Sequence, residues 1–177
     1  MMVLIVGGSG SGKSSYAEKT AVFLAQEGMK KYYLATMQVF DDEGRKKVEQ
    51  HRNLRNGKDF LTIEQPTRIS CALEKMKTGN RTVLLECISN LMANEMFSEE
   101  QHKTKMQVAE NVIRDIKMLK EQTTHFVVVS NNVFEDGITY DETTMEYIHA
   151  MGMINHKLAA LADRVVEMVA GIPIIIK

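Results

Sequence analysis

Cysteine is scarce in this chain of 177 residues, with only Cys71 and Cys87 present. Both sit in apolar surroundings without a partnering spacing, which excludes a disulfide framework and suits a reducing compartment. Tryptophan is absent and aromatic residues make up 6% of the chain, while methionine occurs thirteen times, so the core is expected to be filled by adaptable side chains. Neither sign of charge dominates. Twenty-two basic and twenty-three acidic residues leave a formal net charge of -1, so no global field draws the chain toward nucleic acid or anionic lipid. Long apolar runs are missing too. The stretch from Val3 to Val6 is too short for a secretory h-region and has no basic segment before it. No run reaches the roughly 20 residues of a membrane span. No linker, repeat or second domain interrupts the pattern. What remains is 44% hydrophobic and 25% charged, the balance of a globular protein, and the expectation is one soluble cytoplasmic domain spanning residues 1–177.

Strand and helix signals alternate along the chain. Met2 to Val6 reads as a strand, followed by a glycine-rich turn and a helix from Lys13 to about Gln26. Lys31 to Thr36 is a second strand, and Asp42 to Arg55 a charged helix ended by Asn56-Gly57. A short strand at Phe60–Ile63 precedes a helix predicted over 67–76. The continuous apolar run Thr82 to Glu86 reads as a strand buried on both faces. Ser98 and Gln101 form a candidate capping box for a long helix whose apolar positions are Ala109, Val112, Ile113, Ile116 and Leu119. His125 to Ser130 is another strand, 131–141 a polar loop, and 143–162 a helix. The last strands, Arg164–Val169 and Ile172–Ile176, flank Ala170-Gly171 and are spaced for an antiparallel hairpin. The pattern predicts an α/β fold of the P-loop NTPase type, a mainly parallel sheet flanked by helices.

Gly7-Gly8-Ser9-Gly10-Ser11-Gly12-Lys13-Ser14 satisfies the G-x-x-x-x-G-K-[ST] pattern. Its glycines let successive backbone N–H groups point into one concavity, and the helix that follows adds its positive end. Lys13 is the candidate for the β and γ phosphates, and the Ser14 hydroxyl for Mg²⁺. Because the octapeptide follows a predicted strand and opens a predicted helix, it predicts a nucleoside triphosphate site. Glu86, at the end of the buried run, is the expected second ligand of Mg²⁺.

On the charged helix, Lys47, His51 and Arg55 recur every four residues and share one face. Cationic neighbours favour a neutral, nucleophilic ring nitrogen on His51, and histidine can carry covalent intermediates. From these residues alone a P-loop small-molecule kinase without a covalent step, or a nucleotide-binding regulator, stays open. His102, His125, His149 and His156 have no Cys or carboxylate cluster near them, so no metal other than Mg²⁺ is expected.

The order of segments resembles the bifunctional adenosylcobinamide kinase / adenosylcobinamide-phosphate guanylyltransferase family of cobalamin synthesis. The resemblance rests on the phosphate loop with Ala17-Glu18, Leu34-Ala35-Thr36, His51-Arg52 with Arg55, and Glu64-x-Pro66. It continues through Val83-Leu84-Leu85-Glu86-Cys87 with Asn94, Val128-Val129-Ser130-Asn131, Gly152-x-x-Asn155, Leu158-Ala159-x-x-Ala162-Asp163 and Gly171-Ile172-Pro173. It implies that a nucleoside triphosphate, ATP or GTP, phosphorylates the corrinoid, and that GTP then guanylylates a histidine, which maps to His51. The phosphorylated corrinoid takes the GMP. It further implies nucleotide contacts at Thr36, Arg55 and Glu64 and a homotrimeric assembly.

Overall fold

In a computed structural model the protein is described at residues 1–38, 42, 46, 49, 53, 55–97, 104–132, 138 and 140–177. Among these residues seven strands form one sheet in the order β3-β2-β4-β5-β1-β6-β7. In chain order they are β1 (Met2–Gly7), β2 (Lys30–Ala35), β3 (Phe60–Glu64), β4 (Arg81–Glu86), β5 (His125–Val129), β6 (Arg164–Val169) and β7 (Ile172–Ile175). Every neighbouring pair is parallel except β6 with β7, the antiparallel hairpin expected from sequence.

Strand parity divides the core into two layers, because successive side chains point to opposite faces. Val3, Ile5, Tyr33, Leu84, Val127 and Val129 face α1 (Lys13–Leu24). That helix approaches closely through the fully buried Ala17 and Ala21. Met2, Leu4, Tyr32, Leu34, Val83, Leu85, Phe126 and Val128 face the other way. They are covered by α2 (Ile88–Met96), α3 (Lys105–Glu121) and α4 (Glu142–Leu161). All six residues of β4 are buried, as its uninterrupted apolar run requires. Each fully buried Leu, Ile or Phe contributes about 1.5–3 kcal/mol, so this double layer supplies the rigidity on which the loops at the strand ends rest.

Several local expectations change. The segment after Pro66 forms a 3₁₀ helix over Ile69–Lys75, not an α-helix. Ile88, Leu91, Met92 and Met96 bury one face of α2, a helix that the sequence reading passes over. The capping box of the long helix is Thr104 with Gln107, each bonding the other's backbone N–H. The Ser98–Gln101 pair lies outside the described residues. Asp141, read as loop, is the N-cap of α4, its carboxylate accepting from the Thr144 N–H at 3.1 Å. Of the charged helix, Asp42, Lys46, Glu49 and Asn53 are described, and they are helical and exposed. No helix among the described residues is long and apolar enough to cross a membrane.

Candidate active site

The site is built where β1, β2 and β4 end. Gly7 closes β1 at φ 150°, and a Cβ there would lie 2.6 Å from the Met168 carbonyl oxygen of β6, so only glycine lets the chain leave the sheet at this point. The loop then turns back to start α1, with Gly12 in the left-handed region at its N-cap. The Ser11 N–H donates to the Gly8 carbonyl at 3.3 Å, and the Ser11 carbonyl accepts from the Gly171 N–H at 3.1 Å. The turn between β6 and β7 therefore braces the phosphate loop. Ala170 and Gly171 both have positive φ, the backbone that a two-residue hairpin turn of the primed type demands.

Lys13, the first residue of α1, is buried, and its ammonium donates to the Gly8 carbonyl. Burial pulls its pKa down, while Cys87 and Glu86 act in the opposite sense. One residue on, the Ser14 hydroxyl donates to Glu86 Oε1. The other carboxylate oxygen accepts from the Tyr33 hydroxyl at 3.0 Å. Loss of water drives the Tyr33 phenol pKa upward, and the neighbouring Glu86 carboxylate adds to that, so the group stays a neutral donor. The fold thus brings Lys13, Ser14 and Glu86 into one cluster, from two segments 72 residues apart. A serine hydroxyl and one carboxylate make a hard oxygen donor set. It fits Mg²⁺, which takes one or two protein ligands and completes its shell with phosphate and water. The buried Ser11 hydroxyl, with no partner among the described residues, adds a donor inside the cradle.

Arg55 reaches the same face. Its guanidinium lies 3.6 Å from the centroid of the Tyr33 ring, and its buried Nη1 has no hydrogen-bond partner among the described residues. The turn that carries it is anchored by Lys58, whose ammonium pairs with the fully buried Glu18 of α1 at 2.6 Å. His51 lies outside the described residues. Thr36 is fully buried, and its hydroxyl donates to the Cys87 carbonyl and accepts from the Cys87 N–H, both at 2.8 Å, tying the end of β2 to the end of β4. Glu64 is exposed at the end of the edge strand β3. It stands four strand positions from β1, roughly 19 Å at about 4.8 Å per strand. Ser9 and Gly10 are exposed at the loop tip. Tyr33, Glu18 and Lys58 carry no motif signal. A tyrosine in an apolar strand and a glutamate on a helix look ordinary until the strand order brings them together.

Residues 3–176 match the sequence model of the family described as cobinamide kinase / cobinamide phosphate guanyltransferase. The chain belongs to the cobinamide kinase / cobinamide phosphate guanyltransferase family. It is a transferase of adenosylcobalamin biosynthesis. Among its relatives, the bifunctional adenosylcobalamin biosynthesis protein CobU of Escherichia coli strain K12 is 29% identical over 186 residues, covering all of both chains. The bifunctional protein CobP of Pseudomonas aeruginosa PAO1 is 27% identical over 177 residues, covering all of this chain and 98% of that one. Two solved structures share the fold at low identity. The ATPase domain of a helicase aligns with a TM-score of 0.56 at 12% identity, over 94% of this chain and 68% of that one. The flagellar accessory protein FlaH of Methanocaldococcus jannaschii gives 0.50 at 14%, over 99% and 77%. The cobinamide kinase / guanyltransferase chain thus has a P-loop NTPase fold, and nucleotides are its substrates.

Proposed function

We propose that one domain, residues 1–177, performs both family reactions at the phosphate loop, as a cytoplasmic homotrimer that binds no nucleic acid. In the first, ATP or GTP phosphorylates the hydroxyl of adenosylcobinamide. In the second, the neutral nitrogen of His51 attacks the α-phosphorus of GTP, a P–N bond forms, and the P–O bond to pyrophosphate breaks. A phosphate oxygen of adenosylcobinamide phosphate then attacks that phosphorus. The P–N bond breaks, and His51 is restored as the corrinoid leaves carrying GMP. Both reactions shift negative charge among phosphate oxygens, so positioning and charge compensation serve both.

The observation that carries this reading is the meeting of Ser14 and Glu86 at the foot of the loop that presents Lys13. The amides of residues 7–14 and the Ser11 hydroxyl hold phosphate oxygens, and Lys13 exchanges its Gly8 carbonyl for them. Ser14 and Glu86 hold Mg²⁺, which when bound compensates charge on the phosphates. Arg55 adds a buried cation on the side from which the His51 segment arrives. Thr36 fixes the strand ends beneath the nucleotide, and Glu64 contacts the part of the substrate farthest from the triphosphate.

Incubation with Mg²⁺ and α-labelled GTP, then denaturation and peptide mapping, tests the reading. An acid-labile, base-stable GMP adduct on His51 is expected, absent in His51→Ala. GTP binding with no adduct would refute the covalent route.

A further inference from the structure

Three observations converge on a residue with no role in the reaction as described so far. The Tyr33 hydroxyl donates to the Glu86 oxygen that Ser14 does not use. The face of its ring lies 3.6 Å from the Arg55 guanidinium. Its edge is closed by Phe60, with centroids 6.4 Å apart and planes at 75°. The side chain is buried between α1 and the sheet, so the ring has one place to be.

A carboxylate held at one oxygen can still swing about its own axis. Held at both by neutral hydroxyl donors, it has one plane and keeps its charge. The ring below Arg55 does something different. A guanidinium with an unpaired buried nitrogen is costly, and the aromatic face offsets part of that without consuming its N–H donors. Those donors remain available for a phosphate.

We propose that Tyr33 is a positioning residue that orients Glu86 toward the cation with its hydroxyl and holds Arg55 ready for the triphosphate with its ring. This rests on the reading that Glu86 serves the Mg²⁺ site. Tyr33 thereby sets two anion-handling groups from different segments in one geometry, and it touches neither substrate nor metal.

The test uses Tyr33→Phe, Tyr33→Leu and Glu86→Gln in the full chain, each first shown to unfold cooperatively. Calorimetry measures binding of the α,β-methylene analogue of GTP with and without Mg²⁺, and pyrophosphate release from GTP is followed over a Mg²⁺ series. For Tyr33→Phe, the Mg²⁺ concentration at half-maximal rate rises about 10–100-fold, the range typical of lost partners behind a metal ligand, while Mg²⁺-free binding stays at the wild-type value. Tyr33→Leu shows the same shift and also a lower rate at saturating Mg²⁺, because Arg55 loses its support. The proposal is overturned if Tyr33→Phe keeps wild-type Mg²⁺ dependence while Glu86→Gln loses it. It is equally overturned if Tyr33→Phe weakens binding alike with and without Mg²⁺, the mark of a packing role alone. Wild-type Mg²⁺ dependence in Glu86→Gln would instead remove the underlying assignment of Glu86.

Discussion

Gly7→Ala and Gly10→Ala change the same loop by the same methyl group, yet they should differ several-fold in cost. At Gly7 the new Cβ meets the Met168 carbonyl oxygen at 2.6 Å and Ser11 Oγ at 2.9 Å. The nearer obstacle is backbone of the neighbouring strand, in register with Gly7, so β1 and β6 must part where the loop begins. Overpacking against an immovable group costs about 1–3 kcal/mol. A non-glycine residue in this sparsely populated backbone region adds about 1–3 kcal/mol. The midpoint of the two together is about 4 kcal/mol. At Gly10, φ is +71° and nothing lies within 4 Å of the added Cβ. Only the left-handed backbone penalty of about 1–2 kcal/mol applies there. For a chain of this size each kcal/mol shifts Tm by about 2–4 °C. Gly7→Ala should therefore melt roughly 8–16 °C below wild type, and Gly10→Ala roughly 2–8 °C below. Thermal unfolding followed by circular dichroism checks this without nucleotide or Mg²⁺, since ligand binding would add its own stabilisation. Equal shifts in the two variants would refute the claim that β6 backbone, and not loop conformation alone, makes glycine necessary at position 7.

Lys58→Met should destabilise by about 3 kcal/mol in urea titration, because it strands the fully buried Glu18 carboxylate, one oxygen of which has no partner among the described residues. The double variant with Glu18→Gln should recover part of that loss, and no recovery would show that the pair does not matter. The Asp163 carboxylate accepts the Met2 N–H at 2.5 Å, and this bond holds its pKa below the ordinary carboxylate value. Its contribution is therefore present above about pH 4 and fades as pH falls through the lowered folded-state value. Asp163→Asn should flatten that part of the acid limb in denaturation curves taken between pH 2 and 6 (roughly the span of carboxylate titration), whereas an unchanged limb would contradict the assignment. Thr104→Ala removes the cap of α3 and should cost about 1 kcal/mol with no change in nucleotide binding.

The phosphate loop was legible because everything it requires is local, eight consecutive residues between a strand and a helix. Glu86 was legible because an apolar run that ends in a carboxylate points to the mouth of a parallel sheet. Tyr33 was not. Tyr32 and Tyr33 are neighbours of one kind in the sequence, and only sheet parity sends Tyr33 toward α1 and the site while Tyr32 goes to the opposite layer. Glu18 was hidden in a similar way, since a helical glutamate is read as solvated until strand order closes over it. The helix after Cys87 went unread because its N-cap makes no side-chain hydrogen bond and so carries no start signal. Thr36 shows the converse. A residue singled out as a nucleotide contact spends its hydroxyl on the backbone of the next strand.

The bond from Gly171 to Ser11 has a consequence for how the protein comes into being. β1 takes both of its neighbours, β5 and β6, from the far part of the chain, and Met2 meets Asp163 across 161 residues. At a synthesis rate of about 5–20 residues per second, β1 waits on the order of ten seconds for β6 to be made. Through that interval an apolar strand has no lateral partner and the phosphate loop has no brace. GTP and Mg²⁺ thus cannot guide early folding of a nascent chain. Their capture marks a molecule whose β6–β7 hairpin has already closed, so nucleotide binding reports completed folding, and β1 depends on cellular chaperones rather than ligand for protection until then.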